Sequence, residues 1–539
     1  MKKTLLLAAL LTSSLAGFAQ WPSSADGPFP LVSSLDETDY SRDMRVNSEG
    51  TTYVLKLVPG TDEGGAILMS YRLHIVDKNG NVLTSTDQGR QSGIEVCTTR
   101  NRSSVVVNDL LYIDKNDNVL VVVNDCRNTT EDSHWRGYTL YKLDKDGNKI
   151  WEHDLMDGMT YQMPVRLSVT ETTDGGYVCA FQDYQSNNNN SIFYEKLDKD
   201  GNSLWQKHLT STSGIDQQPY LVTAENNEVI MVYASGTNEH LYAVRIDQDG
   251  EVKWSTRFYR GGFDSIPLWT HLRVTKGPKD GVLVAWRDDR SYCGWYSGYL
   301  NFIDGEGNIA YPNDMDAIQI AYPEDGISTY DVSIDHSDKD NATYTAYRLT
   351  DQASQSWHGI NVQKVTDQGE LLWNVEGEEV VPFEYNNNVG NIIVKEADQG
   401  CIVFYFFRNG ITSFSDAELH AAKVDNDGHV TWDIILSNTT SYKAHLFASQ
   451  LIDGDHWIIS WEDRLDNPSN NNGVYDRFAC RLNVDGTMGE PTEAINTVSV
   501  PKGVPATYYN IAGERLSAPV KGINIVQTAQ GVCKVFNNN

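Results

Sequence analysis

The stretch KLDKDGNKIW at residues 142–151 returns almost unchanged as KLDKDGNSLW at residues 196–205, and this phrase decides the fold. Its glycines recur 49 to 67 residues apart, so the chain is an internal repeat with a period of about 58 residues. The other six copies read IVDKNGNVLT (75–84), RIDQDGEVKW (245–254), FIDGEGNIAY (302–311), KVTDQGELLW (364–373), KVDNDGHVTW (423–432) and RLNVDGTMGE (481–490).

Each position of the phrase has a physical interpretation. The glycine follows Asp, Asn, Glu or Gln, a combination typical of a tight hairpin turn with positive φ at the glycine. Six copies carry an aromatic residue four positions later, a place that suits packing between neighbouring sheets. The first and last copies lack it, as terminal repeats meet different neighbours. We assign a structural role to Gly147, Gly201, Gly250, Gly307, Gly369 and Gly428, and to Trp151, Trp205, Trp254, Trp373 and Trp432, with Tyr311 in the sixth place.

A strongly apolar segment precedes each phrase, as in DNVLVVV (117–123) and DGGYVCAF (174–181). Continuous β-branched and aromatic runs of this kind indicate strands buried on both faces. A weaker alternating segment comes earlier still, as in VRLSVTET (165–172). Each module therefore predicts four antiparallel strands, and this period is typical of propeller blades. The predicted fold class is all-β: an eight-bladed β-propeller, with seven blades as the alternative, and a small C-terminal β appendage.

The first nineteen residues have the pattern of a secretory signal peptide. Lys2 and Lys3 precede a short apolar run, and Gly17 and Ala19 are the small residues that precede cleavage. No second apolar run is long enough to cross a membrane. We expect a secreted or surface-exposed protein, with the periplasm as the alternative. The predicted segments are a signal peptide at 1–19, the propeller at 20–497, and a linker with a sorting-like segment at 498–539.

The formal net charge of −30 disfavours nucleic acid and anionic membrane surfaces as partners. Carboxylate oxygens are the ligands that calcium prefers, so calcium stays open as a cofactor. The DKDGN turns lack the ligand set of an EF-hand loop, and we interpret them as hairpin turns. We predict no metal and no other cofactor.

The seven cysteines are odd in number and include no CxxC pair. Cys179, Cys401 and Cys480 lie in strand-like stretches, which favours burial as small apolar residues. This pattern is unlike the disulfide framework of small secreted domains.

The phrase resembles the tryptophan-docking repeat of quinoprotein dehydrogenases and of the related outer-membrane assembly propeller, in which Gly-x-x-x-Trp ends a hairpin, as in Gly147 to Trp151. The adjacent Cys-Cys pair of the quinoprotein family is missing, so the resemblance implies the fold without quinone chemistry. The chain is also similar to uncharacterised exported propellers that combine a Trp-x-Asp-x-Arg stretch with a DG turn. Here that stretch reads AWRDDR (285–290) and SWEDR (460–464).

The C-terminal stretch 508–536 resembles the last strands of a type IX secretion sorting domain. The matching features are Tyr509-Asn510-Ile511, Gly513-Glu514-Arg515, Lys521-Gly522-Ile523 and a closing strand at Val532 to Phe536. The resemblance implies contact with secretion machinery and transport across the outer membrane. A small packed β appendage without that role is the alternative.

Two polar clusters at strand ends are the candidate ligand-binding residues. Trp and Asp next to Arg can hold a glycan or a carboxylate through stacking and hydrogen bonds. Their recurrence in two modules supports the alternative of a structural ion pair at the blade corner. Aromatic loops at 291–299 and 128–138 are further candidates, because loops on a rigid scaffold often carry binding. The candidates are Trp286, Asp288 and Arg290, then Trp461, Asp463 and Arg464, with Trp295 and Tyr296 from the first loop.

The sequence contains no HExxH, GxSxG, P-loop or GxGxxG motif that would identify a catalytic site. We therefore favour a non-catalytic propeller that binds an extracellular glycan or protein. The alternative is an extracellular polysaccharide hydrolase or lyase with its site on the funnel face, built from side chains of several blades. A structural component of the envelope is a third hypothesis.

Overall fold

The structure is a computed structural model in which the predicted all-β propeller is confirmed. Four-stranded antiparallel sheets follow one another along the chain, and one 3-10 helix lies at Asp314–Asp316 among the described residues. The predicted signal peptide and most of the linker before the tail lie outside those residues. The structure describes residues 21–26, 29–32, 40–61, 65, 67–84, 92–100, 111–124, 137–159, 164–183, 191–210, 219–235, 240–259, 272–289, 294–322, 325–410, 417–464, 476–490, 507–510, 515–517, 522–528 and 531–537.

The first four modules form four separate sheets, which we name units 1 to 4, and the strands of each pair in chain order. Unit 1 comprises β2 (Tyr40–Val46), β3 (Thr52–Thr61), β4 (Ile67–Val76) and β5 (Ile94–Arg100). Unit 2 comprises β6 (Leu111–Ile113), β7 (Val119–Asn124), β8 (Tyr138–Leu143) and β9 (Lys149–Asp154). Unit 3 comprises β10 (Pro164–Glu171), β11 (Tyr177–Asp183), β12 (Ser191–Leu197) and β13 (Ser203–Thr210). Unit 4 comprises β14 (Tyr220–Thr223), β15 (Val229–Ser235), β16 (His240–Ile246) and β17 (Val252–Arg257).

Units 5 and 6 are also separate sheets, whereas units 7 and 8 share one seven-stranded sheet. Unit 5 comprises β18 (Arg273–Lys276), β19 (Val282–Asp288), β20 (Ser297–Ile303) and β21 (Ile318–Gln319). Unit 6 comprises β22 (Ile327–Ser337), β23 (Ala342–Asp351), β24 (Trp357–Thr366) and β25 (Glu378–Tyr385). Unit 7 comprises β26 (Asn387–Ala397), β27 (Gly400–Asn409), β28 (Ala417–Val424) and the first part of β29 (Val430–Ala448). Unit 8 comprises the second part of β29, β30 (His456–Arg464), β31 (Asp476–Asn483) and β1 (Phe29–Val32).

The two ends of the repeat array meet in unit 8. Strand β1 comes from the start of the described chain and pairs antiparallel with β31, so Phe29 lies opposite Ala479. Unit 8 in turn contacts unit 1, through β30 with β2 and through β1 with β3. An N-terminal strand therefore completes the last sheet, which closes the ring and covers a sheet edge that would otherwise be open.

The first strands of neighbouring units contact one another, so they line the centre of the ring. One face of the ring carries the DG turns and the short turns between first and second strands, and we call it the turn face. The opposite face, which we call the loop face, carries the connections between second and third strands and from each unit to the next. The apolar core lies between units; Ala180 of unit 3, for example, packs in one cluster with Met231 of unit 4.

The aromatic residue of the phrase docks on the turn glycine of the next unit. Trp205 lies against Gly250 so closely that a Cβ added there would lie 2.9 Å from the indole ring. The Trp205 indole N–H also donates to the carbonyl of Gln248 at 2.8 Å. The same pair of contacts links Trp151 to the turn at Gly201. The same packing occurs at Trp254, Tyr311, Trp373 and Trp432, which lie against Gly307, Gly369, Gly428 and Gly486.

The missing aromatic of the last copy is supplied by the N-terminus. Trp21 is buried, and its indole N–H donates to the carbonyl of Lys78 at 2.7 Å. Lys78 lies two residues before Gly80, the same position that Gln248 has before Gly250. Trp21 therefore makes the unit 8 to unit 1 contact that the other tryptophans make between their units. In the first copy Ile94 takes the place of the aromatic, against Gly147.

The aspartate of the phrase caps the hairpin turn. In the first copy, Asp77 Oδ1 accepts hydrogen bonds from the backbone N–H groups of Asn79 and Asn81 at 2.9 and 2.8 Å. The turn glycines all have positive φ, 85° at Gly80, as the phrase predicts. Carboxylates of the other copies do the same at Asp144, Asp198, Asp247, Asp304 and Asp425.

Two further expectations can be compared with the structure. Cys179, Cys401 and Cys480 are buried free thiols, as the sequence predicts, and burial raises the pKa of each.

The tail forms a sheet of its own, and among the described residues its strands pair only with one another. The strands are β32 (Thr507–Tyr509), β33 (Arg515–Leu516), β34 (Gly522–Thr528) and β35 (Gly531–Asn537), in the order β33-β32-β34-β35. The predicted role of the tail as a sorting signal stays a prediction.

We expect Gly250→Ala to lower the free energy of unfolding by about 2–4 kcal/mol, because the new methyl group meets Trp205. Gly454→Ala is the matched control, since Gly454 also has positive φ but nothing lies within 4 Å of its Cβ position. The control should lose only about 1 kcal/mol from backbone strain. Urea denaturation measures the free energy of unfolding of both variants. Equal decreases would contradict the close contact between Trp205 and Gly250.

We expect Trp21→Ala to lower the free energy of unfolding by about 3–5 kcal/mol, as for other buried aromatics. Trp205→Ala should lower the free energy of unfolding by about 3 kcal/mol, because Trp205 is only half-buried. Trp21→Phe keeps the packing without the indole N–H and should fall between wild type and alanine. Chemical denaturation compares wild type with the three variants. An unchanged free energy of unfolding in Trp21→Ala would show that the ring closes without this contact.

Candidate functional site

The tryptophans and aspartates of the two predicted clusters lie inside the blades. The Trp286 indole N–H donates to Asp288 at 2.8 Å, and the Trp461 indole N–H donates to Asp463 at 3.3 Å. All four side chains are at most 1% exposed. They have no free surface for a ligand here, and they hold the end of the second strand, as the structural alternative for these clusters predicts.

Buried polar partners surround Asp463 in unit 8. Lys443 Nζ lies 3.0 Å from Asp463, and both side chains are fully buried. Thr439 donates to the same carboxylate at 3.0 Å, and Ser441 also donates to it. Such a network is stable because every charge in it has a partner, and breaking one member would leave a buried charge alone.

The remaining candidates are only partly covered by the structure. Arg290, the side chain of Arg464 and residues 128–136 lie outside the described residues. Trp295 and Tyr296 are half-buried on the loop face, and Tyr296 belongs to the cluster described next. The binding role of these residues stays a prediction.

Three neighbouring central strands share a bulge near the loop face. The ladder register shifts in β22, β26 and the second part of β29, and in each bulge one residue has positive φ. These residues are Asp331 (51°), Asn391 (52°) and His445 (48°). Bulges turn side chains away from the regular alternation and are frequent beside binding sites. The first strands of units 1 and 3 also shift register, so the bulge recurs in several units.

A cavity of about 410 Å³ lies beside these bulges, and we call it the arginine cleft. It is formed by first strands of units 5 to 8 and by the second strand of unit 6. Its walls are polar on the side of units 5 and 6 and apolar at Ile392, Ile393 and Leu446. The polar lining consists of Arg273, Asp331, Ser333, Arg348 and Asn391.

Arg348 is held in place by neighbours from two units. Its Nη2 lies 3.1 Å from the carboxylate of Asp331, and its Nη1 donates to the carbonyl of Val389 at 3.1 Å. Its Nε is buried and has no hydrogen-bond partner among the described residues. The side chain is therefore fixed, and one of its donors stays unpaired in the described part of the chain.

Arg287 also lies against the Tyr330 ring, outside the lining of the cleft. Its guanidinium is 4.1 Å from the centre of that ring and 5.3 Å from the centre of the Tyr296 ring. Arg348 approaches the same Tyr330 ring to 5.3 Å, so two guanidinium groups share one aromatic ring. Arg287 makes no ion pair with a described carboxylate, and its buried Nη1 has no hydrogen-bond partner in that part of the chain.

The electrostatics of this cluster favour an anion. Burial lowers the pKa of the Arg287 guanidinium, and the positive charge of Arg348 acts in the same direction, against the opposing effects of Tyr330 and Asp331. Among the described residues, the lining of the cleft and Arg287 thus bring three arginines, with Arg273, to a single carboxylate. In a chain of net charge −30, this local excess of positive charge needs a partner, and planar guanidinium groups match carboxylates well.

The described cleft lacks the carboxylate pair of a glycosidase. Asp331 is the single acidic residue of its lining, and it is already paired with Arg348. A separate cluster of Asp425, Asp427 and His429 could approach a metal ion, but it lies in a DG turn. Asp425 there accepts the turn's own backbone N–H groups, as the other phrase aspartates do. The expectation of no metal stays a prediction.

Arg287 and Arg348 lie outside the predicted candidate residues, although the sequence contains a signal for both. Cross-strand partners align Arg287 with Arg348, Gln182 and Glu462, each two residues after a small residue of the second strand. In the motif Trp-x-Asp, this position is the middle residue. Side chains alternate along a strand, so the middle residue lies on the face opposite to Trp and Asp.

The comparisons with known proteins agree with the propeller fold. Residues 74–291 match the family described as outer membrane protein assembly factor BamB, which covers less than half of the chain. No curated protein matches the sequence. A structure of the polysaccharide lyase Uly1 covers 73% of this chain and 94% of its own, with 10% identity and a TM-score of 0.44. A protein of unknown function from Dyadobacter fermentans DSM 18053 is 13% identical, with a TM-score of 0.31, over 59% of this chain and 94% of its own.

Proposed function

We propose that this chain is a non-catalytic binding propeller whose arginine cleft takes an acidic sugar residue of a glycan. The proposal is carried by the half-buried guanidinium of Arg287, which adjoins the cleft because it shares the Tyr330 ring with the lining residue Arg348. Arg287 has no carboxylate partner among the described residues. A uronate carboxylate would supply the missing negative charge and accept bidentate hydrogen bonds. The half-buried ring of Tyr296 offers an apolar surface for the sugar.

The overall charge narrows the class of glycan. A chain of net charge −30 repels dense polyanions at long range, so a nucleic acid or a fully charged polyuronate is a poor ligand. At physiological salt the repulsion fades over about 8 Å, and the local field of the cleft then dominates. A mostly neutral polysaccharide with occasional uronate branches fits both conditions.

Binding without catalysis fits the described cleft better than hydrolysis. Glycoside hydrolysis uses two carboxyl groups on opposite sides of the bond, whereas Asp331 is the single carboxylate of the described lining and is paired with Arg348. A lyase, which would need a base beside a neutralised uronate, is the alternative, and the appearance of unsaturated product in the binding assay would establish it.

Export supports a ligand outside the cytoplasm. The first nineteen residues have a signal-peptide pattern. Within the described part of the chain, no helix has the length and apolar character needed to cross a bilayer. The tail strands β32 to β35 form their own sheet, as a separable sorting signal would. We infer that the tail directs the protein to the secretion machinery and the cell exterior.

Calorimetric titration tests the cleft with a glucuronate-substituted xylo-oligosaccharide and the same oligosaccharide without the uronate. We expect wild type to prefer the uronate form by at least tenfold, and Arg287→Gln to remove this preference. Lys207→Gln is the matched control, because it also removes one positive charge. Lys207 of unit 3 forms a solvent-exposed ion pair with Glu251 of unit 4. Arg287→Gln should change the free energy of unfolding by less than about 1 kcal/mol, since the charge has no ion-pair partner to lose.

Two results would contradict the proposal. One is equal affinity of wild type for both oligosaccharides. The other is a loss of stability in Arg287→Gln as large as that of a buried ion pair, about 3 kcal/mol or more, which would make Arg287 a structural residue. Preference for an acidic peptide over both oligosaccharides would move the ligand to the protein class.

Deletion of residues 504–539 tests the tail. The propeller should keep its melting temperature, because the deleted strands pair with no unit among the described residues. Cell fractionation should then find the shortened protein in the periplasm instead of outside the cell. A lower melting temperature would show that the tail supports the ring, and unchanged export would show that it is a passive extension.

A further inference from the structure

Three aromatic rings form a platform at the loop-face edge of unit 6. Trp357 begins β24 and lies opposite Tyr385 at the end of β25. Its ring centre is 6.0 Å from that of Tyr385 and 5.9 Å from that of Phe383. Trp357 is 42% exposed and Tyr385 is 53% exposed, so the two rings present apolar faces to solvent.

The turn before Trp357 is held rigidly by one carboxylate. Asp351 accepts hydrogen bonds from the backbone N–H groups of Ser354, Ser356 and Trp357 at 2.7 to 2.8 Å. Burial acts to raise the pKa of Asp351, but these N–H groups outweigh it and lower the pKa to about 2. Trp357 is therefore positioned before any ligand arrives, which reduces the entropy lost on binding.

The platform and the arginine cleft lie on the same edge of the same sheet. Asp351 is three residues beyond Arg348 on β23, and Trp357 and Tyr385 follow on the next two strands. Strand spacing and rise then separate the backbone of Arg348 from that of Tyr385 by about 14 Å. Trp357 lies three residues from Ile360, the cross-strand partner of Arg348, so its side chain points to the other face of the sheet. A ligand that reaches both places therefore crosses the loop-face edge of unit 6 and is longer than a single sugar.

Charge selects what the platform binds. Glu384 lies next to Tyr385 on β25, and Asp351 holds the turn before Trp357, so the surroundings of the platform are acidic. They would repel a uronate and also a second copy of this chain, whose net charge is −30. An uncharged sugar ring has no such penalty, and its apolar C–H face can lie on an aromatic ring.

We propose that Trp357 and Tyr385 form a second subsite, which binds an uncharged sugar residue of the same glycan whose uronate lies in the arginine cleft. This inference rests on the proposed function, because the cleft defines the other end of the ligand. It divides recognition into a charged subsite near the centre of the ring and a neutral subsite toward its rim.

Three ligands separate the two subsites: glucuronate alone, the uronate-substituted oligosaccharide and the neutral oligosaccharide. We expect Trp357→Ala to weaken binding of the substituted oligosaccharide roughly tenfold and to leave the affinity for glucuronate unchanged. Trp357→Phe should restore most of the affinity. Val375→Ala, which trims another exposed apolar side chain of unit 6, is the control and should match wild type.

The neutral oligosaccharide keeps the two proposals apart. It should bind weakly to wild type and to Arg287→Gln, and it should lose this binding in Trp357→Ala. One outcome is that glucuronate binding depends on Arg287 while Trp357→Ala binds both oligosaccharides as wild type does. This result would contradict the second subsite and leave the proposed uronate site in the cleft intact. If no uronate binds while the neutral oligosaccharide still depends on Trp357, the cleft fails and the two-subsite ligand fails with it.

Discussion

The contact between an aromatic ring and the turn glycine of the next unit is the interaction on which this ring depends. A four-stranded sheet with two apolar faces cannot be stable alone, so each unit needs a neighbour in a fixed position. The glycine has no Cβ, which lets the indole lie directly on the turn, and the indole N–H then reaches the backbone carbonyl, as Trp205 does at Gln248. The contact therefore fixes both the spacing and the register between units. At Trp21 and β1 it also joins the two ends of the chain.

Most of this architecture follows from the repeated phrase, because the phrase encodes local structure. The Asp-x-x-Gly turn, the apolar strand before it and the aromatic after it are each explained by contacts within one unit or with the next. Trp21 could not be predicted in the same way, because it lies outside any copy of the phrase. Its role depends on which units meet when the ring closes, and so does that of Ile94. Closure is a property of the whole chain.

The candidate site divides into a predictable and an unpredictable part for a related reason. Trp286 and Asp288 stand out in the sequence because unit 8 repeats the pair, and a contact that stabilises the blade recurs in this way. Arg287 and Arg348 occupy one position of the repeat that varies between units, and a strand places that position on the opposite face from its neighbours. Alignment of the units could have located both arginines. No alignment could show that Arg287 has no carboxylate beside it in the described chain, because ion pairs form between strands distant in sequence.

Folding and recognition thus use different positions of the same repeat. Repeated positions bury their polar atoms with partners, as Asp463 does with Lys443 in unit 8, and they stabilise the units that carry them. The variable position can keep a charge that no described residue neutralises, as Arg287 does. The cost of taking that guanidinium out of water is offset by the aromatic–glycine contacts around the ring. A ligand carboxylate then supplies the counter-ion that the fold omits, so its binding energy is concentrated where the scaffold leaves a cation unmatched. A symmetric scaffold with one asymmetric charge defect would bind at one place on the ring and not once per unit.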